Sequence, residues 1–344
     1  MAQLAEINRG WPNTCVELQT AMRRVPRTTA WVRLHRAAVA CSSVSTPDWL
    51  LDMDLVRQAA DQGPLIIDCS TDPFNGHEQA VVDWLRPHYS KFIVLASDAR
   101  YLEQPCDHIC YFPYFFLCLL GHDMHDNAVV LNAKRQYPLS CINGRARTHR
   151  IENWLKIRHR PWFARCLWRM NRRFDVETEQ QENGLDFEDP GMLDQWLAIM
   201  STMPEPHGID HTANDPAHRD AYINLVPESH VRTGELFVSE KTFKPLISGQ
   251  LGIWLAAAGT VGFLRRLGFD MFDDLIDHSY DLEPDWHRRI DMIHVALDKV
   301  IDRDWFETFE RTADRRLANL RHINNTTLNN QLNEQCNYYS RMIE

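Results

Sequence analysis

Leu139-Ser140-Cys141-Ile142-Asn143-Gly144-Arg145-Ala146-Arg147-Thr148-His149-Arg150 is the stretch on which the fold is decided. A β-compatible apolar run ends in Asn143-Gly144, a pair with turn chemistry. Ile151-Glu152-Asn153-Trp154-Leu155 then continues in a helical pattern. Strand, turn and helix in succession is the repeating unit of an α/β protein. Three arginines and a histidine enter the helix, and Arg147 and Arg150, three apart, share a face. Guanidinium groups at such a turn suit phosphate oxygens, because the fork is planar, permanently charged and bidentate. The plain structural alternative is a basic helix face that makes surface ion pairs.

The same alternation extends in both directions. Upstream, strands are expected at Val39 to Val44, Pro64 to Asp68 and Lys91 to Ala96, and helices at Leu50 to Ala60 and Gly76 to Leu85. Downstream, strands are expected at Tyr222 to Val226 and Leu251 to Leu255. Helices are expected over Ile151 to Met170, Gly259 to Gly268 and Asp285 to Arg321. Alternation of this kind predicts parallel sheets with helices on their faces, which take ligands at the carboxyl ends of the strands. A length of 344 residues accommodates two Rossmann-like α/β domains. With a polar boundary near Asn127 to Lys134, the expected division is 1–130, 131–320 and a tail, 321–344, that crosses back to the first domain.

A second stretch adds chemistry. Phe237-Val238-Ser239-Glu240-Lys241-Thr242-Phe243-Lys244-Pro245-Leu246 passes from a short apolar run into a helix. Lys241 and Lys244 share a face there, and the positive end of the helix adds to their field. Glu240 can accept hydrogen bonds from sugar hydroxyls, so the group suits a ribose followed by a diphosphate. The structural alternative is a solvated helix start with Ser239 as its N-cap.

The two stretches together resemble the donor half of GT-B glycosyltransferases, closest in form to the fucosyltransferase-like group. They are also similar to phage and bacterial glycosyltransferase-like proteins with a Glu-Lys-Thr-x-Lys-Pro core. In those, a Gly-Gln pair and a Leu-Gly-Phe to Ser-Tyr-Asp string follow. Here these read Ser248-Gly249-Gln250, then Leu267-Gly268-Phe269-Asp270-Met271-Phe272 through Asp277-His278-Ser279-Tyr280-Asp281. The resemblance covers residues 139–155 and 222–300. It implies two α/β domains facing a cleft and a donor site built from Asn143, Arg147, Arg150, Ser239, Glu240, Lys241, Thr242 and Lys244, with Glu240 on the ribose. Arg150 and Lys241 would stabilise the departing diphosphate. The base would come from the first domain, with Asp68 and Asp72 as candidates and Glu78 third. Neither stretch carries an Asp-x-Asp metal motif, so a metal-independent enzyme without a cofactor is expected, with the nucleotide-sugar as co-substrate. Gly249-Gln250 departs from the Gly-Thr of fucosyltransferases, so the sugar does not carry over.

Composition limits the remaining classes. A net charge of -10 argues against a protein that coats nucleic acid by bulk charge. No apolar run reaches the ~20 residues of a membrane span, and the N-terminal residues lack a signal-peptide pattern. Nine scattered cysteines, an odd number, fit a reducing cytoplasm. Locally, residues 144–174 carry ten Lys or Arg and one acid, interleaved with Trp154, Trp162, Phe163 and Trp168. On a continuous helix Arg165, Arg169, Arg172 and Arg173 fall near one face, a candidate surface for DNA. The similar phage proteins make a hydroxymethylated pyrimidine in DNA a candidate acceptor. The structural alternative is core tryptophans and charge balanced by the acidic residues 175–189. Two rival functions remain: a non-enzymatic nucleic-acid-binding module, and a non-sugar transferase acting on modified DNA.

Overall fold

The structure is a computed structural model that describes residues 30–33, 65–70, 78–103, 106–111, 130–170, 176–182, 185–201, 215–232 and 234–324. The strand expected at Val39 to Val44, the helix at Leu50 to Ala60, Asp72, Arg172, Arg173 and the tail 325–344 lie outside the described residues. The chain forms two compact units. The first collects described residues of Met1–His122 with Gly234–Glu240; the second spans Asp123–Thr233 and Lys241–Asn325.

In the first unit, β1 (Ala30–Arg33), β2 (Leu65–Cys69), β3 (Phe92–Ala96) and β4 (Ile109–Tyr111) form a parallel sheet in that order. β3 is buried along its whole length, as a parallel strand covered on both faces must be. Helix α1 (Glu78–Leu85) lays Val81, Val82 and Leu85 into one core with Leu65, Ile67, Phe92 and Val94.

In the second unit, β5 (Tyr137–Asn143), β6 (Leu167–Met170), β7 (Ala221–Pro227) and β8 (Leu251–Leu255) form another parallel sheet, in the order β6-β5-β7-β8. The chain moves outward from β5 to β6, then returns past β5 to lay down β7 and β8. The strand order therefore reverses between β5 and β7. Open α/β sheets bind ligands beyond the carboxyl ends of the strands at such a reversal. Helices α2 (Thr148–Ile157), α3 (Val176–Glu182), α4 (Gly191–Met200), α5 (Pro216–Arg219), α6 (Glu240–Ile247) and α7 (Thr260–Arg266) intervene. α8 (Trp286–Val300), α9 (Trp305–Arg311) and α10 (Ala313–Asn324) fill the run expected to be helical over Asp285 to Arg321. Asp304, whose side chain accepts from the Glu307 amide, starts α9 and so divides that run.

One expected helix is corrected. The run Ile151 to Met170 is not continuous: α2 stops at Ile157, a 3₁₀ turn covers Phe163–Arg165, and β6 follows. Pro161 has no amide hydrogen and disfavours helical geometry at Arg160 before it. Arg165 and Arg169 therefore belong to a turn and a strand, and a single helical stripe joining them to Arg172 and Arg173 is not formed.

The Ser248-Gly249-Gln250 turn locks the second sheet. Gly249 has φ +63°, and a Cβ there would lie 2.7 Å from a methyl carbon of Val130. Gln250 Nε2 donates to the Ala217 and Ala221 carbonyls, both at 3.0 Å, and its Oε1 accepts from Asn224 at 2.9 Å. The Ser-Tyr-Asp end of the downstream string is equally structural. Asp281 accepts the Val261 and Gly262 amides at the start of α7, and the Tyr280 hydroxyl accepts the Trp254 amide of β8. Gly249→Ala is expected to destabilise the protein by at least ~2 kcal/mol, combining roughly 1–2 kcal/mol for left-handed geometry with roughly 1–3 for overpacking. Urea denaturation measures this; an unchanged midpoint would contradict the close approach to Val130.

Candidate functional site

Glu228 follows the last residue of β7 and is fully buried. Its amide donates to the Leu255 carbonyl at the end of β8. Its carbonyl accepts from His149 Nε2 and from an Arg150 terminal nitrogen, both at 2.9 Å. Its carboxylate accepts the Thr242 hydroxyl at 2.6 Å and the Ser229 amide at 2.7 Å. One residue thus ties the carboxyl ends of β7 and β8 to the first turns of α2 and α6. Because a carbonyl only accepts, the His149 Nε2 carries the proton, and burial together with nearby Arg150 keeps the ring neutral by lowering its pKa well below the ordinary value.

The expected donor residues divide by environment. Asn143 ends β5, buried, with its Nδ2 3.4 Å from Cys141 Sγ and no hydrogen-bond partner for Oδ1 among the described residues. Arg147 is half-buried at the capping position of α2 and makes no side-chain cap bond there. Arg150 is buried, and its terminal nitrogens donate to the carbonyls of Arg145 (2.8 Å), Pro227 (2.8 Å) and Glu228 (2.9 Å). Burial lowers its pKa to about 10, so it remains charged at neutral pH. Its geometry is that of a tie between β7 and the loop before α2. Ser239 is buried, and Glu240 and Lys241 are half-buried at the first positions of α6. Thr242 and Lys244 are buried, and Thr242 also offers its carbonyl to Trp254 Nε1 at 3.1 Å.

A small cavity of about 20 Å³, open to solvent, lies beside this junction, lined by Thr148, His149, Glu179, Ser229, His230 and Trp286 among others. Asp186 and Arg232, paired at 2.9 Å, also line it. The cavity lies at the carboxyl ends of β5 and β7, where the strand order reverses. The start of α2 within it is capped from a distance: Glu179 of α3, buried, accepts the Thr148 amide at 2.8 Å and hydroxyl at 3.1 Å.

Of the expected first-domain carboxylates, Asp68 is the fourth residue of β2, paired in register with Leu95; Asp72 lies outside the described residues. Glu78, at the start of α1, is fully buried, and neither carboxyl oxygen has a hydrogen-bond partner among the described residues. Two further buried carboxyls surround it electrostatically. Glu235 accepts from Ser97 Oγ at 2.5 Å, and Asp98 pairs with Arg100 and accepts the Leu236 amide. Burial first, then the Glu235 and Asp98 charges, raise the Glu78 pKa to about 8.

Of the expected acceptor arginines, Arg165 pairs with Asp302 and Arg169 with the buried Asp215. The rest of the basic segment is similarly matched. Lys156 meets Glu188 at 2.6 Å and Asp291 at 3.0 Å, and Arg160 meets Asp298 at 2.6 Å. Trp162 is buried and donates to Asp298, Trp154 packs edge-on to the buried Trp196, and Phe163 stacks on Trp168. Much of the compensating charge comes from α8 and the turn after it.

Comparison with family models, with curated proteins and with solved structures found no match for this chain. Among the described residues no helix is long and apolar enough to cross a membrane, and no group of three His, Cys, Asp or Glu is placed to hold a metal ion. Sequence reasoning missed Glu228, Glu179, Ser229, His230 and Trp286. Pro227-Glu228-Ser229-His230 was legible in principle, since a polar stretch directly after a buried parallel strand lies on the ligand side of the sheet.

Two outcomes follow from these environments. Arg150→Ala removes three charge-assisted hydrogen bonds from buried carbonyls and is expected to cost on the order of 3 kcal/mol or more. Arg150→Lys should not recover it, because one ammonium group cannot reach all three acceptors; wild-type urea stability in either variant would contradict the tie. For Glu78, a folded-state pKa above the unfolded 4.5 means the folded state holds a proton the unfolded state has lost. Its contribution to stability is complete below about pH 4.5 and is lost as pH rises towards 8. The stability of Glu78→Gln relative to wild type should therefore increase between pH 5 and 8 and level off above. A pH-independent difference in chemical denaturation would remove the titration of Glu78 from the account.

Proposed function

We propose that the chain is a glycosyltransferase that moves a sugar from a nucleotide-sugar to a hydroxyl acceptor, with the donor bound by the second unit. The observation that carries this reading is the junction at the β5/β7 reversal. There the starts of α2 and α6, which carry the half-buried Arg147 and Lys241, are tied through Glu228, and a small cavity lined by Thr148, His149 and Ser229 opens beside the start of α2. Leaving-group stabilisation in such a transfer needs fixed positive charge and oriented N–H groups aimed at the diphosphate. Arg147 and Lys241 supply the charge in this proposal, with Lys244 behind Lys241. Arg150 holds the loop through its three carbonyl bonds and is a positioning residue. Glu240 takes the ribose hydroxyls.

The GT-B plan is part of the proposal, since each unit contains a parallel α/β sheet of the kind that plan combines. Charge supplied by arginine and lysine is proposed to take the place of a metal. The acceptor is proposed only as a hydroxyl: the ion pairs of Arg165 and Arg169 already balance charge that a DNA backbone would otherwise meet.

A panel of UMP, UDP, GDP, their sugar conjugates and the corresponding nucleosides, read by thermal shift and calorimetry, tests the reading. A ligand that binds only the folded state raises the melting point. At least one nucleoside diphosphate should do so. Arg147→Ala and Lys241→Ala should each weaken its binding by about 10- to 100-fold, equivalent to roughly 1.5–3 kcal/mol, and leave nucleoside binding nearly unchanged. If no nucleotide of the panel binds, the glycosyltransferase reading fails.

A further inference from the structure

Residues 185–189, which precede α4, form neither helix nor strand. Phe187 packs on the core of Ile151, Leu155 and Trp196. On either side of it stands an exposed carboxylate. Asp186 pairs with Arg232 of the loop after β7 at 2.9 Å, and Glu188 pairs with Lys156 of α2 at 2.6 Å. The Glu188 amide donates to the buried Glu152 of α2 at 3.1 Å. A further contact comes from His287, the second residue of α8, whose Nε2 lies 3.7 Å from Asp186 Oδ1.

His287 is set between two carboxylates. Its Nδ1 lies 2.9 and 3.0 Å from the two oxygens of Glu152. A carboxylate only accepts, so Nδ1 carries a proton. In the neutral ring Nε2 would then turn a lone pair toward Asp186, and the two acceptors would repel. In the imidazolium Nε2 carries a proton as well, and the ring attracts both acids. Charging of the ring and docking of Asp186 therefore favour each other, in equal measure by linkage. The other charged groups nearby come from every element packed here. On α8, Asp285 accepts the His287 amide at 2.9 Å, and Arg288 follows the ring in sequence. On α2, Lys156 lies 3.2 Å from Glu152 and 3.0 Å from Asp291 of α8. Arg232 and Glu188 complete the set. Carboxylates, ammonium and guanidinium groups ordinarily hold one charge from about pH 5 to 8, the range in which an imidazole changes its own.

We propose that His287 is a pH-operated clasp, whose protonated ring holds residues 185–189 against α2 and α8 and whose deprotonation releases them. Docking is strongest at the acid end of that range and weakens as the pH rises. Asp186 and Trp286 both line the small cavity at the start of α2, so release loosens one of its walls. The Lys156 and Arg232 pairs and the Phe187 contact persist, so the change is a shift in population rather than a detachment. The clasp is independent of the glycosyltransferase reading, since no particular ligand enters the argument.

Hydrogen exchange of the full chain, with each rate divided by the intrinsic rate at its pH, tests the clasp. Wild type should lose protection at residues 186–189, the Glu188 amide included, by about 10-fold between about pH 5 and 8, a coupling of ordinary size. Residues 290–300 of α8 should keep theirs. His287→Gln retains a donor for Glu152 but cannot gain charge, so its protection at 186–189 should stay at the high-pH wild-type level throughout. Asp186→Asn alters an exposed side chain and should also abolish the pH response. Unchanged protection in wild type overturns the proposal. So does the wild-type pH response surviving in either variant, or a parallel loss in α8 that marks global unfolding. Should His287→Gln not fold, Asp186→Asn decides alone, and a retained pH response there overturns the clasp.

Discussion

Glu228 is the constraint on which the second unit depends. A carboxylate buried at the end of a parallel strand would be costly by itself, but here every strong acceptor on the residue is used. The backbone joins β8 and α2; the side chain joins α6 and the amide of the next residue. The effect is to fix two helix starts against one strand end. The first turns of α2 and α6 are thereby held in place by hydrogen bonds within the fold.

The buried arginines follow the same logic. Arg150, Arg289 and Arg316 donate chiefly to backbone carbonyls rather than carboxylates, Arg289 to Val231, Ala256, Glu283 and Pro284 and Arg316 to Val130 and Phe309. Burial lowers the pKa of Arg289 and of Arg316 to about 10, so both remain charged at neutral pH, and their terminal nitrogens meet carbonyls. Five donors in a rigid fork reach several carbonyls at once, which a lysine cannot do. Loops between parallel strands have few sheet partners for their carbonyls, and these arginines serve as those partners. Arg316 also lies over the Phe309 ring, 4.2 Å from its centre, so the charge meets a π face as well as carbonyls.

The α/β class was legible because the strands concerned are short apolar runs ended by turn residues. Leu65 to Cys69, Phe92 to Ala96, Tyr137 to Asn143, Ala221 to Pro227 and Leu251 to Leu255 all lie within a residue or two of where pattern places them. β6 was not legible, since Leu167-Trp168-Arg169-Met170 has no β-branched residue and follows a helix without a change of composition. Its strand state is imposed by pairing with Ser140 to Asn143. The site was only half legible. Local pattern points to Arg147, Glu240 and Lys241, which stand at helix starts. It cannot reveal that Glu179 caps Thr148 or that Glu228 bonds Thr242, because those contacts join elements far apart in the chain. Arg150 illustrates the limit: spacing puts it beside Arg147, but only the fold shows that it is turned onto carbonyls.

Charge in the second unit is therefore divided by exposure rather than by residue type. The deeply buried arginines hold backbone; the outer cations at Lys156, Arg160 and Arg165 meet acids of α8 and the turn after it, while Arg169 meets the buried Asp215. Such outer pairs contribute little stability each, but they lower the field that a basic surface would project. What distinguishes the β5/β7 junction is a different arrangement, in which half-buried Arg147 and Lys241 flank helix starts whose amides are already oriented. A basic segment recognised by counting residues is thus a poor guide to where this chain would hold an anion. The better guide is the strand reversal, because topology brings two helix N-termini to one place and the buried arginine and glutamate keep them there.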